Sequence, residues 1–101
     1  MIKQTIDVNG YWTVIILYNV YLGDNNQGFT YTDSAKRKSI VGVGFYTSQQ
    51  QFLNTLIHEL KHVQSHICSY YNIDEDSEDA AYLIGYLAQQ THLYIKQMLA
   101  N

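Results

Sequence analysis

Apolar and polar residues alternate from Ile2 to Val8, and Asn9-Gly10 follows, the strongest two-residue signal for a β-hairpin. Tyr11 to Leu22 is rich in β-branched and aromatic residues, among them Trp12, Val14, Ile15, Ile16, Val20 and Tyr21, and predicts the returning strand. Residues 23 to 28 read as a loop and Phe29 to Thr32 as a short third strand. A turn over Asp33 to Lys38 then leads into a fourth strand from Ser39 to Tyr46, carried by Ile40, Val41, Val43 and Phe45. Gly42 and Gly44 interrupt one face of it, as glycines do at a bulge or where another backbone comes close.

Beyond Ser48 the period becomes helical. Ser48 with Gln51 three residues on is a capping-box start, and Leu53, Leu56, Leu60, Val63 and Ile67 recur at helical spacing, predicting one long helix that ends near Asn72. The acidic stretch from Asp74 to Asp79 separates it from a last helix reaching about Leu99, with Leu83, Ile84, Leu87, Tyr94, Ile95 and Met98 as its apolar stripe. The expected fold class is therefore α+β: a small antiparallel or mixed sheet of three to four strands, packed on the two helices. No repeat or linker divides the chain, so residues 1–101 are expected to form one domain.

Composition narrows the function classes. Apolar residues make up 47% of the chain and charged residues 15%, which is a globular balance. Net charge is −3, and the short run Lys36-Arg37-Lys38 reads as a solvated turn, so no basic face for nucleic acid is expected. Cys68 is the only cysteine, which excludes an intramolecular disulfide and a CxxC motif, and it reads as a small buried hydrophobe. The apolar run 11–22 follows Asp7, carries Asn19 and lacks a cleavage site. It predicts a strand instead of a leader or membrane span, and the expected location is the cytoplasm.

The chemistry concentrates in His58-Glu59-Leu60-Lys61-His62, an HExxH sequence on the predicted helix. Two histidines four apart lie about 6 Å along a helix axis and about 40° around it, so both imidazoles can close on one ion. Glu59 lies about 100° further round, where it can act as a base toward water held by the metal. Ligand type points to Zn2+, although other divalent ions bind such donors. His66 falls about 12 Å along the axis from His58, too far to share the ion.

A third donor must come from elsewhere. Glu78, Ala81, Gly85 and Ala88 share one stripe of the last helix, and packing those small residues against the histidine face would bring Glu78 to the metal. Asp79, Asp74 and Glu75 stay open as alternatives, and Glu78 also suits a helix N-terminus on charge grounds alone. An EF-hand over Asp74, Asp76 and Glu78 fails, because Asp79 stands where glycine is required. Tyr82, one turn beyond Glu78, could hydrogen-bond a developing oxyanion, or could simply pack. His92 lies about 21 Å beyond Glu78, outside any common site.

The pair of segments His58-Glu59-Leu60-Lys61-His62 and Glu78-Asp79-Ala80-Ala81-Tyr82 resembles the gluzincins, and in particular the compact minigluzincins often found on phages and mobile elements. That resemblance covers about residues 39 to 99. It implies a zincin-like zinc metallopeptidase with His58, His62 and Glu78 as ligands and Glu59 as general base. It also implies a protein or peptide substrate added as an antiparallel strand along a sheet edge, work that would fall to Ser39 to Tyr46. With no further subdomain to wall off a cleft, the expectation is a peptidase selective for one protein. The alternative is a non-catalytic zinc-binding interaction module.

Overall fold

Strict alternation along the first strands, then a switch to helical spacing, produces six elements in the computed structural model, which describes residues 1–23, 27–45 and 48–100 without the side chains of 97–100. Strands β1 (Ile2–Val8), β2 (Trp12–Tyr18), β3 (Gly28–Asp33) and β4 (Lys38–Val43) precede helices α1 (Gln49–Tyr71) and α2 (Glu78–Ala100). The fold is α+β, and the sheet is mixed, in the order β1-β2-β4-β3. β1 with β2 and β3 with β4 are antiparallel, whereas β2 and β4 run parallel.

Local chemistry explains where the elements stop. Asn9 and Gly10 both take positive φ, the Gly10 amide donates to the Asp7 carboxylate, and Val8 pairs with Trp12 across the turn. The second strand is shorter than expected and ends at Tyr18, because Asn19 has a φ of 60°, although the Val20 amide still bonds the Val43 carbonyl. β4 likewise ends at Val43, short of Phe45, and Tyr46 lies outside the described residues. Ser48 caps α1 through its hydroxyl to the Gln51 amide, and Asn72 in the left-handed region closes it. Ser77, not an acidic side chain, caps α2 by accepting from the Ala80 amide.

One face of the sheet is covered by the helices. Ile6 and Val8 of β1, Trp12, Val14, Ile16 and Tyr18 of β2, and Val41 and Val43 of β4 meet Leu56, Leu60, Val63 and Ile67 of α1 and Ala80, Leu83 and Leu87 of α2. Each fully buried aliphatic side chain contributes about 1.5–3 kcal/mol, so this packing outweighs the intrinsic preferences of the helices. Cys68 is fully buried, as expected. Met98 of the expected stripe lies outside the described side chains.

The covered stripe of α2 corrects one expectation. Helix α2 packs through Ala80, Leu83, Leu87 and Thr91, not through Glu78, Ala81, Gly85 and Ala88. A side chain built at Gly85 would meet nothing within 4 Å, so the glycine is not there for close helix approach. No described helix is long and apolar enough to cross a membrane.

Candidate metal and catalytic site

Helix α1 carries Thr55, Glu59 and His66 toward strand β3 and leaves His58 and His62 at its open face, with Thr30 and Thr32 of β3 reaching back. The two imidazoles converge: His58 Nε2 and His62 Nε2 are 3.3 Å apart. Two tetrahedral donors at about 2.1 Å from one zinc ion are separated by roughly 3.4 Å, so the pair fits a shared divalent cation. The same distance permits a hydrogen bond between neutral rings in the metal-free protein.

Glu59 is held between the two elements. Its Oε1 accepts a 2.7 Å hydrogen bond from the Thr30 hydroxyl, and its Oε2 lies 4.0 Å from His58 Nε2. Its side chain is only 9% exposed, against 64% for His58, so the carboxylate is nearly dry while the histidine faces solvent. Room for the Glu59 stem comes from Gly28, where an added Cβ would lie 3.1 Å from Glu59 Cγ and 2.8 Å from Thr55 Cγ2.

Among the described residues no third His, Cys, Asp or Glu joins this pair to complete a metal-binding group. Glu78 is exposed, about 160° around α2 from buried Ala80, so it lies on the opposite side of that helix from the packed stripe. Of the four acidic alternatives, Glu75 is the one that reaches α1: its Oε2 accepts from Lys61 Nζ and Ser65 Oγ, both at 3.2 Å. Asp74 instead accepts from the Asp76 amide, and Asp79 lines a different groove. That groove is bounded by Tyr11, Tyr71, Tyr82 and Tyr86, and its lining includes no histidine. Tyr82, 73% exposed, belongs to it, whereas His58 and His62 open onto a separate shallow hollow with Leu53, Ile57 and Lys61. His92 is exposed on α2.

Two functional features escaped the sequence reading. The first is the pair of inner-face threonines, whose signal was the small polar series Gly28, Thr30, Thr32 alternating with Phe29 and Tyr31. The second is a buried hydrogen-bonded chain, in which Trp12 Nε1, Ser39 Oγ, Thr32 Oγ1 and His66 Nδ1 follow one another at 3.1, 2.8 and 2.6 Å. The indole can only donate, so Ser39 accepts from it, while the Ser39–Thr32 and Thr32–His66 bonds can run in either direction.

The strand expected to receive substrate is interior to the sheet. β4 is hydrogen-bonded on one side to β2 and on the other to β3, so residues 39–43 offer no free edge to a peptide. Among the described residues β3 pairs with β4 alone, and it borders the Glu59 side of α1. No family model matches the chain, and neither the curated proteins nor the solved structures contain a match to it.

Proposed function

We propose that this chain is a zinc-dependent peptidase with an open, shallow site, selective for an extended protein segment added along the free edge of β3. The observation that carries the reading is the convergence of the two imidazoles at 3.3 Å beside a carboxylate that has one oxygen anchored and one free. His58 and His62 would hold the ion, with Glu75 as third donor in place of Glu78, because Glu75 already reaches Ser65, one turn beyond His62. A zinc ion bound there supplies Lewis-acid activation of water and of the scissile carbonyl. The free oxygen of Glu59 accepts the proton of the attacking water and passes it to the leaving amine. β3 orients the substrate backbone by strand pairing, and the apolar side chains of Leu53 and Ile57 flank the histidines. Tyr82 is left out of this scheme, because it lines the other groove.

The test compares zinc content and cleavage of a quenched-fluorescence peptide library by wild type, His58→Ala and Glu59→Gln. Loss of zinc in the first variant, and retained zinc with lost cleavage in the second, is the expected pattern. Undiminished cleavage by Glu59→Gln removes the base.

A second reading is favoured by one observation, that no third donor stands with the histidines among the described residues. In it the same ion is bound without catalysis and serves partner recognition. A cobalt-substituted sample whose spectrum ignores added hydroxamate supports this reading over the enzyme.

A further inference from the structure

Strand β3 does more than border the site. We infer that Thr30 is the positioning residue of the Glu59 carboxylate, a step that rests on the proposed function for its catalytic consequence but not for its geometry.

A glutamate two bonds longer than its backbone has three rotatable angles, and at an open helix face it samples many of them. Glu59 does not have that freedom. The Thr30 hydroxyl donates to Oε1 at 2.7 Å and lies 3.2 Å from the Glu59 carbonyl oxygen, so one group ties both the head and the root of the side chain. A hydroxyl-to-carboxylate bond of this length belongs to the charge-assisted class. Threonine is itself stiff, because branching at Cβ restricts χ1, and it is carried on a strand paired with β4. Among the described residues the Glu59 carboxylate has no other hydrogen-bond donor, and the His58 ring nitrogen, 4.0 Å away, is beyond hydrogen-bond reach.

The neighbouring position supports the same conclusion. Gly28 precedes Thr30 on the inner face of β3, and a Cβ there would stand 3.1 Å from Glu59 Cγ, closer than ordinary contact. Strand and helix are therefore shaped around one conformer, in which Oε2 alone is left toward the histidines. A rigid first contact of this kind is what precise proton transfer requires, since misplacement by about 1 Å can cost a hundredfold in rate.

The experiment uses the full chain with Thr30→Val, which keeps shape and removes the hydroxyl, and Thr30→Ser, which keeps the hydroxyl. With the same quenched-fluorescence peptides, Thr30→Val is expected to lower kcat by about 10- to 100-fold while KM and zinc affinity stay within about twofold. Thr30→Ser is expected to recover to within about fivefold of wild type. In zinc-free protein, Thr30→Val should lower the urea midpoint more when Glu59 is present than in a Glu59→Ala background, where only the bond to the backbone carbonyl of residue 59 is lost. Additive midpoint shifts, or a Thr30→Ser variant as slow as Thr30→Val, overturn the inference. If wild type cleaves nothing, the peptidase reading falls, and the zinc-free pair of midpoints still decides whether Thr30 holds Glu59.

Discussion

Gly28→Ala is expected to destabilise the protein, although the same change elsewhere in this chain should help. The new methyl carbon would lie 2.8 Å from Thr55 Cγ2, 3.0 Å from the Gly42 carbonyl oxygen and 3.1 Å from Glu59 Cγ. Ordinary carbon contacts fall at about 3.5–4.0 Å, so α1 must withdraw from β3 by roughly half an ångström. One obstacle is backbone on the paired strand β4 and cannot turn aside. Overpacking of this kind costs about 1–3 kcal/mol, and the entropy removed from the unfolded chain returns about 0.4–1 kcal/mol. The net is a loss of about 1–2 kcal/mol, or a Tm lower by roughly 5–15 °C for a domain of this size. Differential scanning calorimetry of zinc-free protein reads it directly. Gly85→Ala, in open space on α2, is the control and should gain about 0.5–1 kcal/mol. A Tm that rises equally in both variants refutes the claim that α1 and β3 are in tight contact at Glu59.

Three further outcomes are expected. Glu75→Gln should weaken zinc binding by at least tenfold in a chelator competition while Glu78→Gln leaves it unchanged, and the reverse order would return the third donor to Glu78. Ser39→Ala should leave the buried Trp12 indole N–H without its acceptor and lower stability by about 1–3 kcal/mol in urea unfolding; an unchanged midpoint contradicts that bond. Burial first, and the nearby Tyr94 second, raises the Tyr18 phenol above its ordinary value of 10.0, so above pH 10 the unfolded chain releases a proton that the folded one keeps. Stability must then fall as pH rises, by about 1.4 kcal/mol per unit for such a group, and Tyr18→Phe should flatten the alkaline limb of a urea-midpoint series.

The elements were legible because their signals are local. Alternation in Ile2 to Val8, the Asn9-Gly10 turn and the Ser48 cap each act within a few residues, and each stands where the sequence indicated. The approach of His58 to His62 was legible for the same reason, since four residues on a helix determine it. What was not legible depends on partners far along the chain. Glu78, Ala81, Gly85 and Ala88 do form a stripe of small residues, but the stripe of Ala80, Leu83 and Leu87 buries more apolar surface and turns Glu78 outward. Thr30 meets Glu59 across 29 positions, and although the alternation of β3 marks Thr30 as facing inward, it does not name the partner. The order of strands was equally hidden: β4 follows β3 in the chain yet lies between β3 and β2 in the sheet.

That order leaves two edges, and the chain treats them differently. Tyr94 and Tyr86 donate to the carbonyls of Lys3 and Asp7, and Gln4 Nε2 donates to the carbonyl of Gln90 midway between them. Eight residues of helix rise about 12 Å and four residues of strand about 13 Å, so the two phenols of α2 match two outward carbonyls of β1 almost without adjustment. An exposed strand edge invites pairing with other chains, and here the helix occupies that edge with hydroxyl groups. β3 has no such cover among the described residues, and its inner face carries the threonine that grips Glu59. Under the proposed function, a peptide seeking backbone partners on this sheet would find them along β3, the edge beside Glu59. On that proposal the asymmetry would let an open site select extended segments without a deep cleft.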